Sequence, residues 1–118
     1  MAIDELIRRL TEAPHDISFK EVMETIDLHY DYTPVAFSNG VGDERVVNAA
    51  GENEGSCKVF AFGRLNGFTE TETLACFGEH YRHVLEAPDG TDHANIRTFM
   101  RFGWPGVELE GTALVPKA

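Results

Sequence analysis

With 118 residues, 42% apolar and 25% charged, the chain has the make-up of one globular domain burying roughly two-thirds of its unfolded surface, which excludes a disordered segment and any need for a disulfide or metal to fold. Twenty Asp and Glu against ten Lys and Arg give a formal charge of -10. Nucleic-acid affinity comes mostly from neutralised phosphates and anionic membranes attract basic clusters, so both are excluded as partners, and any steering favours cationic or basic ones.

The opening MAIDELIRRL carries Asp4, Glu5, Arg8 and Arg9 among its apolar residues, so it lacks the uninterrupted apolar core of a secretory signal. No run approaches transmembrane length, and a soluble product is expected. Ile3, Leu6, Ile7 and Leu10 recur at helical spacing and predict a short amphipathic helix ending before Pro14. After the PHD turn, Ser18 and Glu21 have the spacing of a capping box. Phe19, Val22, Met23, Ile26 and Tyr30 then mark one face of a second helix. Over Tyr30 to Gly40 the pattern changes: Thr33, Val35 and Phe37 alternate around Pro34 and predict a short strand, closed by Asn39 and Gly40, with Arg45 to Asn48 as its hairpin partner.

The stretch from Ala50 to Gly78 holds both cysteines and four of the eight phenylalanines, and is read as the heart of the core. Ser56 stands as the N-cap of a helix from Cys57 to Leu65 that Gly67 closes. A strand is the alternative, because Val59, Ala61 and Gly63 alternate with Phe60 and Phe62. Thr69 and Glu72 repeat the capping-box spacing, and Leu74, Phe77, Tyr81, Val84 and Leu85 extend one helix to about Glu86. APDGTD is then a turn with Asp92 as N-cap, and Ile96, Phe99 and Met100 mark a further helix stopped by Gly103 and Pro105. Val107, Leu109 and Ala113 to Val115 read as terminal strands broken at Gly111, with a frayed end. The sum is an α+β fold: one compact domain over residues 1–118, with about five helices packed on a small, mostly antiparallel sheet.

Cys57 and Cys76 are expected as buried free thiols of a reducing compartment, with a disulfide as the alternative. Cys57 is also the candidate nucleophile. At a helix N-terminus beside Lys58 its thiolate would be stabilised, and His93 with Asp92 or Asn95 could supply the base. Against this stands a core thiol, a capping Asp92 and a His93 on the first turn of a helix. His29, Asp31, His80, His83 and His93 could supply metal ligands, His80 and His83 sharing a helix face; surface histidines without a metal are the competing reading. The loop Gly51-Glu52-Asn53-Glu54-Gly55 would suit a cation or basic partner, or serve as a plain turn. Trp104 is either an exposed binding anchor or a plug in the core. Arg97 and Arg101, four apart, are read as local ion-pair formers. No pattern names a cofactor.

YDYTPVAF, NAAGENEGSCKVFAF, LACFGEHYR and DGTDHANIRTFMRFGW occur in that order. Together they resemble the HopJ type III effector family of bacterial proteins, from about Ile17 to Leu114, with Tyr32 where phenylalanine is expected. The resemblance implies a small bacterial protein, cytoplasmic or exported by a type III system, and the family name implies delivery into a host cell; the first reading is a protein that acts by binding a protein partner. It implies no chemistry. Tyr32, Asn53 and Trp104 are the expected binding residues, converging with Cys57, Asp92 and His93 on one pocket. A cysteine-dependent hydrolase or transferase and a metal-binding domain are the alternatives.

Overall fold

The structure, a computed structural model, describes residues 1–118. Six α-helices, five short strands and three single 3₁₀ turns follow one another: α1 (Ile3–Glu12), α2 (Phe19–His29), β1 (Tyr30–Tyr32), β2 (Phe37–Asn39), β3 (Val46–Asn48), α3 (Glu54–Asn66), α4 (Glu70–Ala75), α5 (Glu79–Glu86), α6 (Ala94–Phe102), β4 (Glu108–Leu109) and β5 (Leu114–Pro116). The turns are Pro14–Asp16, Gly42–Glu44 and Trp104–Gly106.

α3 lies at the centre. Val59, Phe60, Ala61, Phe62 and Gly63 are all buried, so the middle of this helix is apolar all round, as a helical turn enclosed on every side must be. That enclosure produces the apparent strand alternation in the sequence and decides in favour of helix. Phe60 meets Phe37, Phe77, Phe99 and Trp104 with ring centroids 5.1–6.3 Å apart, three of the four edge-on. Such pairs each add about 0.5–1.5 kcal/mol beyond the area they bury.

The strands form two antiparallel sheets, β1–β5 and β3–β2–β4. The predicted hairpin is present as β2 and β3, with Phe37 opposite Asn48 and Asn39 opposite Val46. Thr33 and Val35, however, lie outside any strand. Tyr30 to Tyr32 instead pair with β5, Tyr32 opposite Leu114. The chain end is tied down rather than frayed at Lys117, whose backbone N–H donates to the His29 carbonyl at 3.0 Å.

One predicted helix is two. Gly78 breaks the run from Thr69 to Glu86 with φ of 57°. A Cβ there would fall 2.4 Å from the backbone nitrogen of Phe19, so only glycine lets this turn approach the start of α2. Glu79 then accepts the Phe19 N–H at 2.7 Å, and Arg82 donates to the Ile17 carbonyl at 3.0 Å. The capping box at Thr69 and Glu72 forms in full. At Ser18 the hydroxyl caps Glu21, but the Glu21 carboxylate turns to the Arg9 guanidinium of α1 at 2.5 Å.

Candidate functional site

Two residues other than glycine adopt positive φ: Asn53 at 49° and His93 at 52°. Each stands at the N-cap of a helix, Asn53 before α3 and His93 before α6, and neither caps with its side chain. The predicted caps, Ser56 and Asp92, are displaced from that role. A left-handed backbone costs an L-residue about 1–2 kcal/mol, and such strain concentrates at functional positions.

The two helix starts face a shared cleft of about 360 Å³. Gly55 and Ser56 line it from α3, and Ala94, Asn95 and Ile96 from α6. The first-turn N–H groups of a helix have no partner within it, so the backbone presents donors on both sides. Phe19 and Phe77 supply an apolar wall, and the imidazoles of His80 and His93 supply polar edges. Gly55 leaves room for the Phe19 ring, whose tip would lie 2.6 Å from a Cβ there.

A knot of asparagines fixes this geometry from beneath. The Asn48 carboxamide oxygen accepts from Asn53 Nδ2 at 2.7 Å and from Asn95 Nδ2 at 3.0 Å, while its own Nδ2 donates to Asn95 Oδ1 at 3.2 Å. Asn39 Nδ2 donates to the Asn95 backbone carbonyl at 2.7 Å. Asn39, Asn48 and Asn95 are all buried. One network thus joins both strands of the hairpin to the start of each helix. Asn39 and Asn48 escape sequence reading because asparagine at a strand end looks like a turn residue.

On the rim, Asp92 stands between two imidazoles. Arg97 Nη2 donates to its Oδ1 at 2.7 Å, and its Oδ2 faces His83 Nε2 at 3.2 Å and His93 Nε2 at 3.8 Å. Arg97 first, with the imidazoles adding to it, holds the Asp92 carboxyl below its ordinary value. His80 stays out of this group: its ring packs edge-on against Phe19 at 4.8 Å and tilted against His93 at 5.2 Å. The expected pairing of His80 with His83 therefore gives way to His83 with His93. His29 is elsewhere, its Nε2 2.9 Å from the Met1 carbonyl, and Asp31 lies in β1.

The expected cysteine site is taken apart. Cys57 is 1% exposed and does not line the cleft. Its sulfur donates weakly to the Val35 carbonyl at 3.9 Å. Burial pushes the thiol above its ordinary pKa, the opposite of what a nucleophile needs. Lys58 pairs with Asp27 at 2.9 Å and covers the Tyr32 ring at 4.8 Å. Cys76 is likewise buried, and neither cysteine is in a disulfide. Tyr32 lies on the Cys57 side, its buried hydroxyl without a partner, and burial raises its pKa. Trp104 is a plug. Its ring lies 5.2 Å from that of Phe99, its Nε1 donates to the Phe68 carbonyl at 2.9 Å, and Gly63 is bare so that the indole can approach. Of the expected convergence, Asn53, His93 and Asn95 meet at the cleft with Asp92 on its rim, while Tyr32, Cys57 and Trp104 do not.

The arrangement has relatives. The sequence model of the HopJ type III effector protein family matches residues 3–114, nearly the whole chain. The chain belongs to the HopJ type III effector protein family. A crystal structure described as that of the unknown function protein VPA0580 is 46% identical, with a TM-score of 0.92 over 99% of this chain and 95% of that one. The HopJ fold is therefore shared over nearly the whole length of both chains. No curated protein matches the chain. No helix of this HopJ protein is long and apolar enough to cross a membrane.

Proposed function

We propose that this HopJ-family protein is a type III effector that acts by binding a protein partner, and that the cleft between the starts of α3 and α6 is where it does so. One observation carries the reading: two non-glycine caps with left-handed backbone, Asn53 and His93, stand at one open cleft, where a buried asparagine network ties Asn53 to Asn95. Glycine takes this backbone freely, as at Gly51 and Gly67, whereas Asn53 and His93 also bring polar side chains to the cleft wall. A volume of about 360 Å³ admits one or two partner side chains or a small molecule. The net charge of -10 steers basic surfaces toward the rim. The sealed Cys57 supports binding over a cysteine-dependent hydrolase or transferase.

The test is differential capture from host-cell extract, with three tag-cleaved baits: the wild type, Ala94→Trp to fill the cleft, and Cys57→Ala. The expected result is a protein retained by the wild type and Cys57→Ala and lost with Ala94→Trp. A capture profile insensitive to Ala94→Trp, or abolished by Cys57→Ala in a folded bait, overturns the proposal.

A further inference from the structure

We infer that His83, Asp92 and His93 form a binding site for one divalent transition-metal ion of the zinc class, on the rim of the cleft. One ring nitrogen each of His83 and His93 and an Asp92 carboxylate oxygen lie within 4.8 Å of one another. The Asp92 oxygen stands 3.2 Å from one imidazole nitrogen and 3.8 Å from the other. Bonds of about 2.1 Å in a tetrahedral site place neighbouring ligand atoms about 3.4 Å apart. Small side-chain rotations therefore suffice to close the three atoms around an ion.

The donor set selects the ion. Two imidazole nitrogens and one carboxylate oxygen suit zinc, nickel, cobalt or iron(II), whereas magnesium and calcium require oxygen throughout. Three protein ligands also leave a coordination position open. The carboxylate is already oriented for the task, because Arg97 holds Oδ1 at 2.7 Å and leaves Oδ2 to the imidazoles, the kind of outer support that metal ligands usually have. Arg97 is itself anchored by the Ala87 carbonyl at 2.8 Å. The left-handed backbone at His93 contributes as well, since it sets the imidazole beside Asp92 at the helix start. The three ligands come from α5, the turn after it and the cap of α6, so an ion would clip these elements together.

Zinc chloride titrated into tag-free, chelator-treated protein and followed by isothermal calorimetry tests the assignment. One equivalent should bind to the wild type and to His15→Gln. His83→Gln, Asp92→Asn and His93→Gln should each weaken binding at least about tenfold. Far-ultraviolet dichroism establishes that each variant is folded, and cobalt(II) substituted for zinc should give visible absorption that Asp92→Asn removes. No binding by the wild type overturns the inference. So does binding that survives Asp92→Asn and His83→Gln but is lost with His80→Gln or Cys57→Ser.

Discussion

Asn48 is the residue on which the cleft turns. Its side chain accepts from Asn53 and Asn95 and donates to Asn95, so truncation leaves the buried Asn95 carboxamide short of partners, while the exposed Asn53 amide turns to water. An unsatisfied buried group costs about 1–3 kcal/mol, and Asn48→Ala is expected to lower unfolding stability by about that amount, measured by urea denaturation. A loss under about 0.5 kcal/mol, the size of a surface substitution, would show the network to be slack. His93 answers in the other direction. His93→Gly relieves a strain of about 1–2 kcal/mol against an entropy loss of about 0.4–1 kcal/mol. Stability should therefore rise by roughly 0.5 kcal/mol, while zinc binding is lost. A destabilised glycine variant would mean that the left-handed cap is not strained.

At the level of elements, α2 depends on two carboxylates. The Arg9 guanidinium holds Glu21 below its ordinary value, and the Phe19 N–H does the same for Glu79. A carboxyl lowered by folding stabilises the native state above its unfolded value, and that stability is lost as the pH falls through the lowered one. The urea midpoint should therefore drop as the pH falls from about 5 to about 3, and less steeply in Glu79→Gln. Parallel profiles for variant and wild type would remove Glu79 from this role.

Which elements were legible follows from which forces are local. Helical periodicity and the Thr69 cap are written in adjacent residues, so α1, α2 and the start of α4 can be read directly. Gly78 could not be recognised as a break, because its reason is the backbone of Phe19, far away in sequence. The same holds for β1, whose partner β5 closes from the other end of the chain. At the site, His93 and Asn95 stood out as chemistry-bearing residues. What joins them is the Asn39 and Asn48 pair on the hairpin, and a contact between elements leaves no spacing in either.

For the molecule as a whole, an enclosed aromatic helix separates what is sealed from what is open. The body of α3 carries Phe60 and Gly63, against which the Trp104 indole packs, and its start opens on the cleft. Gly63→Ala would place a Cβ 3.0 Å from both Trp104 and Thr73, and overpacking of this kind costs about 1–3 kcal/mol. The charge of -10 acts over the whole surface, so retention of a basic partner should weaken as salt rises from about 50 to about 200 mM. Salt-independent retention would point to an apolar contact instead.

The division between sealed thiols and open cleft is tested most directly by thiol labelling of the native protein under saturating reagent. With both sulfurs buried, labelling requires opening of the fold, and it should run at least about a thousandfold slower than for the urea-unfolded chain. Labelling of Cys57 at a rate close to that of the unfolded chain would contradict the account and return the reactive cysteine to consideration.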